Sequence, residues 1–140
     1  MAPYAKPIPV PSLESRPFWQ GLREHKLLLL RCSDCGHTWF PPTVTCPLCR
    51  SLSIKWEMAS GQGRIFSFVN FHRSYHPGFS DEIPYCVALI ELQEGPRMLG
   101  RISGLPFDRI RCGQDVCILF DDISNELTLP VFHVTNFEAV

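Results

Sequence analysis

At 140 residues, 45% apolar and 19% charged, the chain is sized for one domain, or for one small domain beside a metal module. No apolar run approaches the ~20 residues of a membrane span. The net charge is −1, but residues 1–56 carry +4 and residues 57–140 carry −5, with no lysine after Lys55. That distribution argues against a surface that tracks nucleic-acid phosphates, which depends on clustered cations.

The first eleven residues hold Pro3, Pro7, Pro9 and Pro11 and read as an extended arm. Met1-Ala-Pro-Tyr-Ala-Lys lacks the apolar centre of a signal peptide. Together with seven cysteines, an odd number, this points to a reducing, cytoplasmic setting. A short helix is expected near Ser15–Glu24, capped by Ser12 or Ser15, with Pro17 in its first turn. Phe18, Trp19 and Leu22 give it one apolar face. A helix this short is only marginally stable alone, so that face docks either on its own domain or on a partner.

Cys32-Ser-Asp-Cys35 and Cys46-Pro-Leu-Cys49 follow, with ten residues between the pairs. Two tight turns of two sulfurs each can surround one tetrahedral ion, and paired CxxC at this spacing favours zinc over two disulfides or free thiols. Cys32, Cys35, Cys46 and Cys49 are therefore the candidate metal ligands. Four thiolates leave no position for water or substrate, so the zinc is expected to be structural. Gly36 follows the first pair, where a left-handed backbone is often needed; Arg50 stands at the matching place after the second.

The remainder reads as all β. Lys55–Ala59, Arg64–His72, Tyr85–Leu92, Arg97–Ser103, Asp115–Phe120 and Thr128–Val134 are expected strands. A helical turn is expected near Phe107–Arg109 within the connection Gly104–Gly113. Short strands at this spacing fit a sandwich or barrel, and one long mid-chain connection fits an OB-type barrel. The aromatic residues Phe66, Phe68, Phe71 and Tyr85 are expected in large part to follow the buried alternation of these strands. Cys86, Cys112 and Cys117 are candidate nucleophiles, although Cys86 and Cys117 fall in apolar strands where cysteine acts as a small hydrophobe. His72, Arg73 and His76 open the loop Arg73–Pro84 beside Tyr75 and Phe79. A His and an Arg among aromatics could hold a nucleotide ring and phosphate, or press on a partner. Zinc ligation by His72 and His76 is disfavoured by Pro77, which breaks a helical register.

Phe18-Trp-Gln-Gly-Leu-Arg, Arg31-Cys-Ser-Asp-Cys-Gly, Phe40-Pro-Pro, Cys46-Pro-Leu-Cys49, Gly61-Gln-Gly63 with Ile65-Phe-Ser-Phe-Val, His72-Arg73, Ile83-Pro-Tyr, Val87-Ala-Leu-Ile-Glu-Leu, Glu94-Gly-Pro-Arg, Gly113 and Leu129-Pro-Val-Phe occur in this order. In these pieces the chain, from Phe18 to Val134, resembles the DUF35 family. The resemblance implies a mainly β chain: an arm and N-terminal helix over 1–25, a rubredoxin-like zinc ribbon over 26–55, and an OB-fold domain over 56–140. It also implies a non-catalytic subunit in a hetero-oligomer with an acyl-CoA enzyme. The first choice of partner is a thiolase-fold protein, and the alternatives are a thiolase-like aldolase or a MaoC-type hydratase. A CoA ester would then be met through the complex, with His72 and Arg73 as its contacts. The rival class is a stand-alone OB module binding CoA or single-stranded nucleic acid.

Overall fold

The computed structural model describes residues 6–135; Pro3 of the expected arm lies outside them. Helix α1 spans Arg16–Arg23, with Pro17 in its first turn. Ser15 occupies the N-cap without a side-chain bond to the helix; its hydroxyl pairs with Ser12 instead.

Strands β1 (Leu28–Cys32), β2 (Thr38–Trp39) and β3 (Ile54–Met58) form a small antiparallel sheet in the order β2-β1-β3. β3 hydrogen-bonds along all of β1, from Leu28↔Met58 to Cys32↔Ile54. Beyond Gly61, strands β4 (Gln62–Phe71), β5 (Tyr85–Leu92), β6 (Arg97–Ser103), β7 (Asp115–Asp122) and β8 (Thr128–Val134) close into a barrel, ordered β4-β5-β6-β8-β7. The β6–β8 pairing is parallel and the rest antiparallel, the arrangement of an OB fold. Short 3₁₀ turns at Pro77–Phe79 and Phe107–Arg109 punctuate the two long connections.

β5 shows why this sequence makes a barrel wall. Cys86, Ala88, Ile90 and Leu92 point inward and are buried, while Tyr85, Val87, Leu89 and Glu91 point out. Phe132 from β8 fills the centre with no exposure. Gly100 on β6 makes room for it, since a Cβ there would sit 2.4 Å from the Phe132 ring.

One expectation is corrected and one open alternative is decided. Among the aromatic residues of β4, Phe68 faces inward opposite Ala88 and packs partly buried against the core, but Phe66 leaves the buried alternation and is 49% exposed. A β-bulge between Ile65 and Ser67 resets the register and turns Phe66 out of the wall. Of the two docking places left open for the helix face, the chain's own domain is the one used. Phe18 and Leu22 are buried, in one cluster with Ile65, Ile90 and Phe132, so the apolar face of α1 docks on the chain's own barrel. Trp19 packs half-buried against the same core and meets Phe18 edge-on at 5.4 Å. Leu22→Ala should therefore destabilise the whole fold by about 2–5 kcal/mol, the usual cost of a core leucine truncation. Urea denaturation measures this; a loss below about 1 kcal/mol would mean that α1 contributes little to the core.

Candidate functional site

β1 delivers Cys32 to the end of the small sheet, and the chain turns at once. The Gly36 N–H donates to the Cys32 carbonyl at 3.0 Å, with Gly36 in the left-handed region at φ 78°. The second turn repeats the first: the Arg50 N–H donates to the Cys46 carbonyl at 2.8 Å, and Arg50 itself adopts φ 65°. A non-glycine residue there costs on the order of 1–2 kcal/mol. That the turn keeps its shape around arginine shows that something holds it. The Ser33 N–H donates to the Ser53 carbonyl at 2.8 Å, and the Ser51 hydroxyl bonds the Asp34 carboxylate, so the two turns are tied together.

The result is one cluster. The Sγ atoms of Cys32, Cys35, Cys46 and Cys49 all lie within 4.8 Å of one another, with Cys32–Cys49 at 3.5 Å and Cys35–Cys46 at 3.6 Å. A tetrahedral zinc with Zn–S of ~2.3 Å needs S···S separations of about 3.8 Å. Cys32 and Cys46 are buried, whereas Cys35 and Cys49 are exposed. Backbone N–H groups aim at the sulfurs: Cys35 at Cys32 (3.5 Å), and Leu48 and Cys49 at Cys46 (3.4 and 3.5 Å). The first of these bonds holds the Cys32 thiol down at about 7. At Cys49 the Ser51 N–H favours the thiolate, yet the crowding sulfurs of Cys32, Cys35 and Cys46, together with burial, push it up to about 12. Four thiolates this close repel one another unless a cation sits among them. The donor set fits a zinc ion, held by these four cysteines; when bound it would supply a cross-link for the ribbon. Among the described residues these four are the cluster able to hold a metal.

The other candidates scatter. His76 caps the first 3₁₀ turn, its Nδ1 accepting the Gly78 N–H at 3.0 Å. His72 and Arg73 are exposed: His72 meets Phe107 edge-on at 5.4 Å, and the Arg73 guanidinium lies over Tyr75 at 5.4 Å. A cavity of about 570 Å³ opens nearby, lined by residues including Glu82, Tyr85, Cys86, Arg101 and Phe107, but not by His72 or Arg73. Cys86 is buried, and burial pushes its thiol up to about 11, the wrong direction for a nucleophile. Cys112 is exposed. Cys117 is the register partner of His133 across β7 and β8, a pairing that sequence separation conceals, although no hydrogen bond joins the two side chains.

Sequence reasoning missed a layer of aromatics and cations around the loop 73–84. Tyr85 stacks on Phe71 and on Phe79, at 5.1 and 5.3 Å. Arg101 lies over Tyr85, Lys6 over Phe79 and Arg97 over Phe66. Glu82 binds both Lys6 (2.5 Å) and Arg101 (2.6 Å), and these two cations hold its carboxyl below the usual range despite partial burial. The residue types were visible in sequence; only the register brings them together.

A four-cysteine ribbon carried on a five-stranded barrel defines a zinc-ribbon and OB-fold protein. Family models agree: the ChsH2 rubredoxin-like zinc ribbon domain matches residues 19–54, and the ChsH2 C-terminal OB-fold domain matches residues 56–121. The chain belongs to the DUF35 family. It is 35% identical over 110 residues to a DUF35 domain-containing scaffold protein of Methanothermobacter thermautotrophicus, a match covering 77% of this chain and 82% of the relative. It is 34% identical over 127 residues to a Thermomonospora curvata protein named "Probable enoyl-CoA hydratase alpha subunit". That match covers 91% of this chain, which spans only 39% of the relative's length. Among solved structures it superposes on a chain of the "Ltp2-ChsH2(DUF35) aldolase" with a TM-score of 0.83 and 33% identity, covering 91% of this chain and 98% of that one. No described helix is long and apolar enough to cross a membrane.

Proposed function

We propose that this chain is a non-catalytic, zinc-containing subunit of a hetero-oligomeric complex that processes acyl-CoA esters, working in the cytoplasm beside a thiolase-fold enzyme. The observation that carries the reading is the likeness, over 91% of this chain and 98% of the other, to a chain of the Ltp2-ChsH2(DUF35) aldolase. The chemistry of the chain is consistent with it. A four-thiolate centre has no open coordination position for substrate, and burial works against Cys86 as a nucleophile. The partner then carries the nucleophile and the acid–base groups. This chain orders partner loops, shapes the acyl pocket or steadies the CoA, so that its contribution is positioning. His72 and Arg73, exposed at the start of the loop, belong to the surface that meets the CoA ester or the partner.

A MaoC-type hydratase partner is the second reading, favoured by the relative named as an enoyl-CoA hydratase alpha subunit. Reconstitution separates the two. The chain is mixed with the thiolase-fold, aldolase or hydratase subunit encoded beside it, and condensation, carbon–carbon cleavage and hydration of acyl-CoA esters are assayed with each component alone and together. Hydration by the mixture, without cleavage or condensation, would move the partner to the hydratase class.

A further inference from the structure

The outward wall of an OB barrel that faces water alone should be polar. Register shows that part of this one is not. Val69 pairs with Val87 and Val87 with Arg101; Ser67 pairs with Leu89 and Leu89 with Leu99. All of these point away from the core, so Val69, Val87, Leu89 and Leu99 form one apolar centre across β4, β5 and β6. Leu99 is 66% exposed and Val69 58%.

Stacked cations frame that centre. At one end Arg97 lies 3.7 Å from the centroid of Phe66, the side chain that the bulge turned outward. At the other end Arg101 lies over Tyr85 and Arg73 over Tyr75. Rings hold these guanidinium groups in place before anything binds, which reduces the ordering cost of contact. Arginine and aromatic anchors around a dry apolar centre are the composition of protein interfaces.

The charge identifies the occupant. Residues 57–140 carry −5, yet this face is positive. Lys6 and Arg101 share the single carboxylate of Glu82, Arg97 has Glu91, and Arg73 has no carboxylate partner. Counting exposed Asp81 as well, cations still outnumber acids. Nucleic acid would need several cations free for phosphate, and here three of five, counting exposed Arg64 opposite Glu91, are already paired.

We infer that the outer face of β4–β5–β6, with the loop 73–84, is the docking surface for the enzyme subunit of the complex proposed above. The matching surface on that subunit is apolar at its centre and bears carboxylates at its rim. This rests on the scaffold reading and adds the place and chemistry of contact.

The test is binding of that enzyme subunit, measured by calorimetry, to wild type, Leu99→Asp, Arg73→Glu and the control Leu52→Asp, whose leucine is exposed on the ribbon and belongs to none of β4, β5, β6 or the loop 73–84. Circular dichroism and zinc content confirm that each variant is folded. Leu99→Asp should weaken binding about 30-fold or more, as for a central anchor. Arg73→Glu should weaken it about tenfold, with a slower association rate at low salt. Leu52→Asp should bind as wild type does. Unchanged affinity in both face variants, with a wild-type complex intact, overturns the docking surface and leaves the scaffold reading standing. No complex with wild type overturns both. A raised KM for the CoA ester in Arg73→Glu, with assembly unchanged, places Arg73 on the ligand and overturns its role here. Sub-micromolar oligo-dT binding lost in Leu99→Asp, or a self-dimer split by it, assigns the face to nucleic acid or to a second copy and overturns the inference.

Discussion

Cys46→Ser should unfold the ribbon while leaving the barrel folded, and should take the zinc content from about one per chain to none. Cys46 is fully buried and accepts two of the N–H···S bonds of the cluster. Around it the ribbon offers little core of its own: Leu30, Cys32 and Trp39, with Ile54 and Trp56 partly covering them. Structural zinc contributes on the order of 10–16 kcal/mol in small ribbon-like peptides, far more than three apolar contacts can replace. The barrel core around Ile65, Ala88, Ile90 and Phe132 also takes in Leu27 and Leu29 at the start of β1, and Trp56 packs against both clusters, so the damage should be greatest around the cysteine turns and fade toward the barrel. Hydrogen exchange read alongside elemental analysis separates the outcomes. Residues 30–55 should lose protection, and the strands from 62 to 134 should keep theirs. Full protection over 30–55 in a metal-free variant would mean that hydrogen bonds such as Ser33 to Ser53 suffice, and that the metal is not what folds the ribbon.

What was legible in the sequence, and what was not, divides by range. The cysteine centre was legible because its geometry is local: two CxxC turns and a left-handed residue after each. The strands were legible because alternation in Tyr85–Leu92 or Arg97–Ser103 is a short-range pattern. The destination of Phe18 and Leu22 was not, because the surface that covers them is the barrel, assembled from residues far along the chain. Phe66 was misplaced for a different reason. A bulge shifts the two-residue period by one, and nothing in Ile65-Phe-Ser-Phe-Val announces it. The cation and aromatic layer stayed hidden because Lys6, Glu82 and Arg101 meet only once β5 and β6 pair and the arm folds back over them.

Reconstituted activity bears most directly on the role proposed for this chain. Without partner it should turn over no acyl-CoA ester, since Cys86 is buried with a raised thiol, Cys117 makes no hydrogen bond to His133, and a zinc held by the four cysteines would have no open position for substrate. The enzyme subunit alone should be inactive or much slower, by about 100-fold, because a misplaced pocket loses the positioning on which rate depends. The two together should form a stable complex and recover turnover. The measurement is the steady-state rate of acyl-CoA cleavage, condensation or hydration for each subunit alone and for the mixture. Activity in the mixture only is the expected result; turnover by this chain alone, or full turnover by the enzyme subunit without it, would contradict the scaffold role.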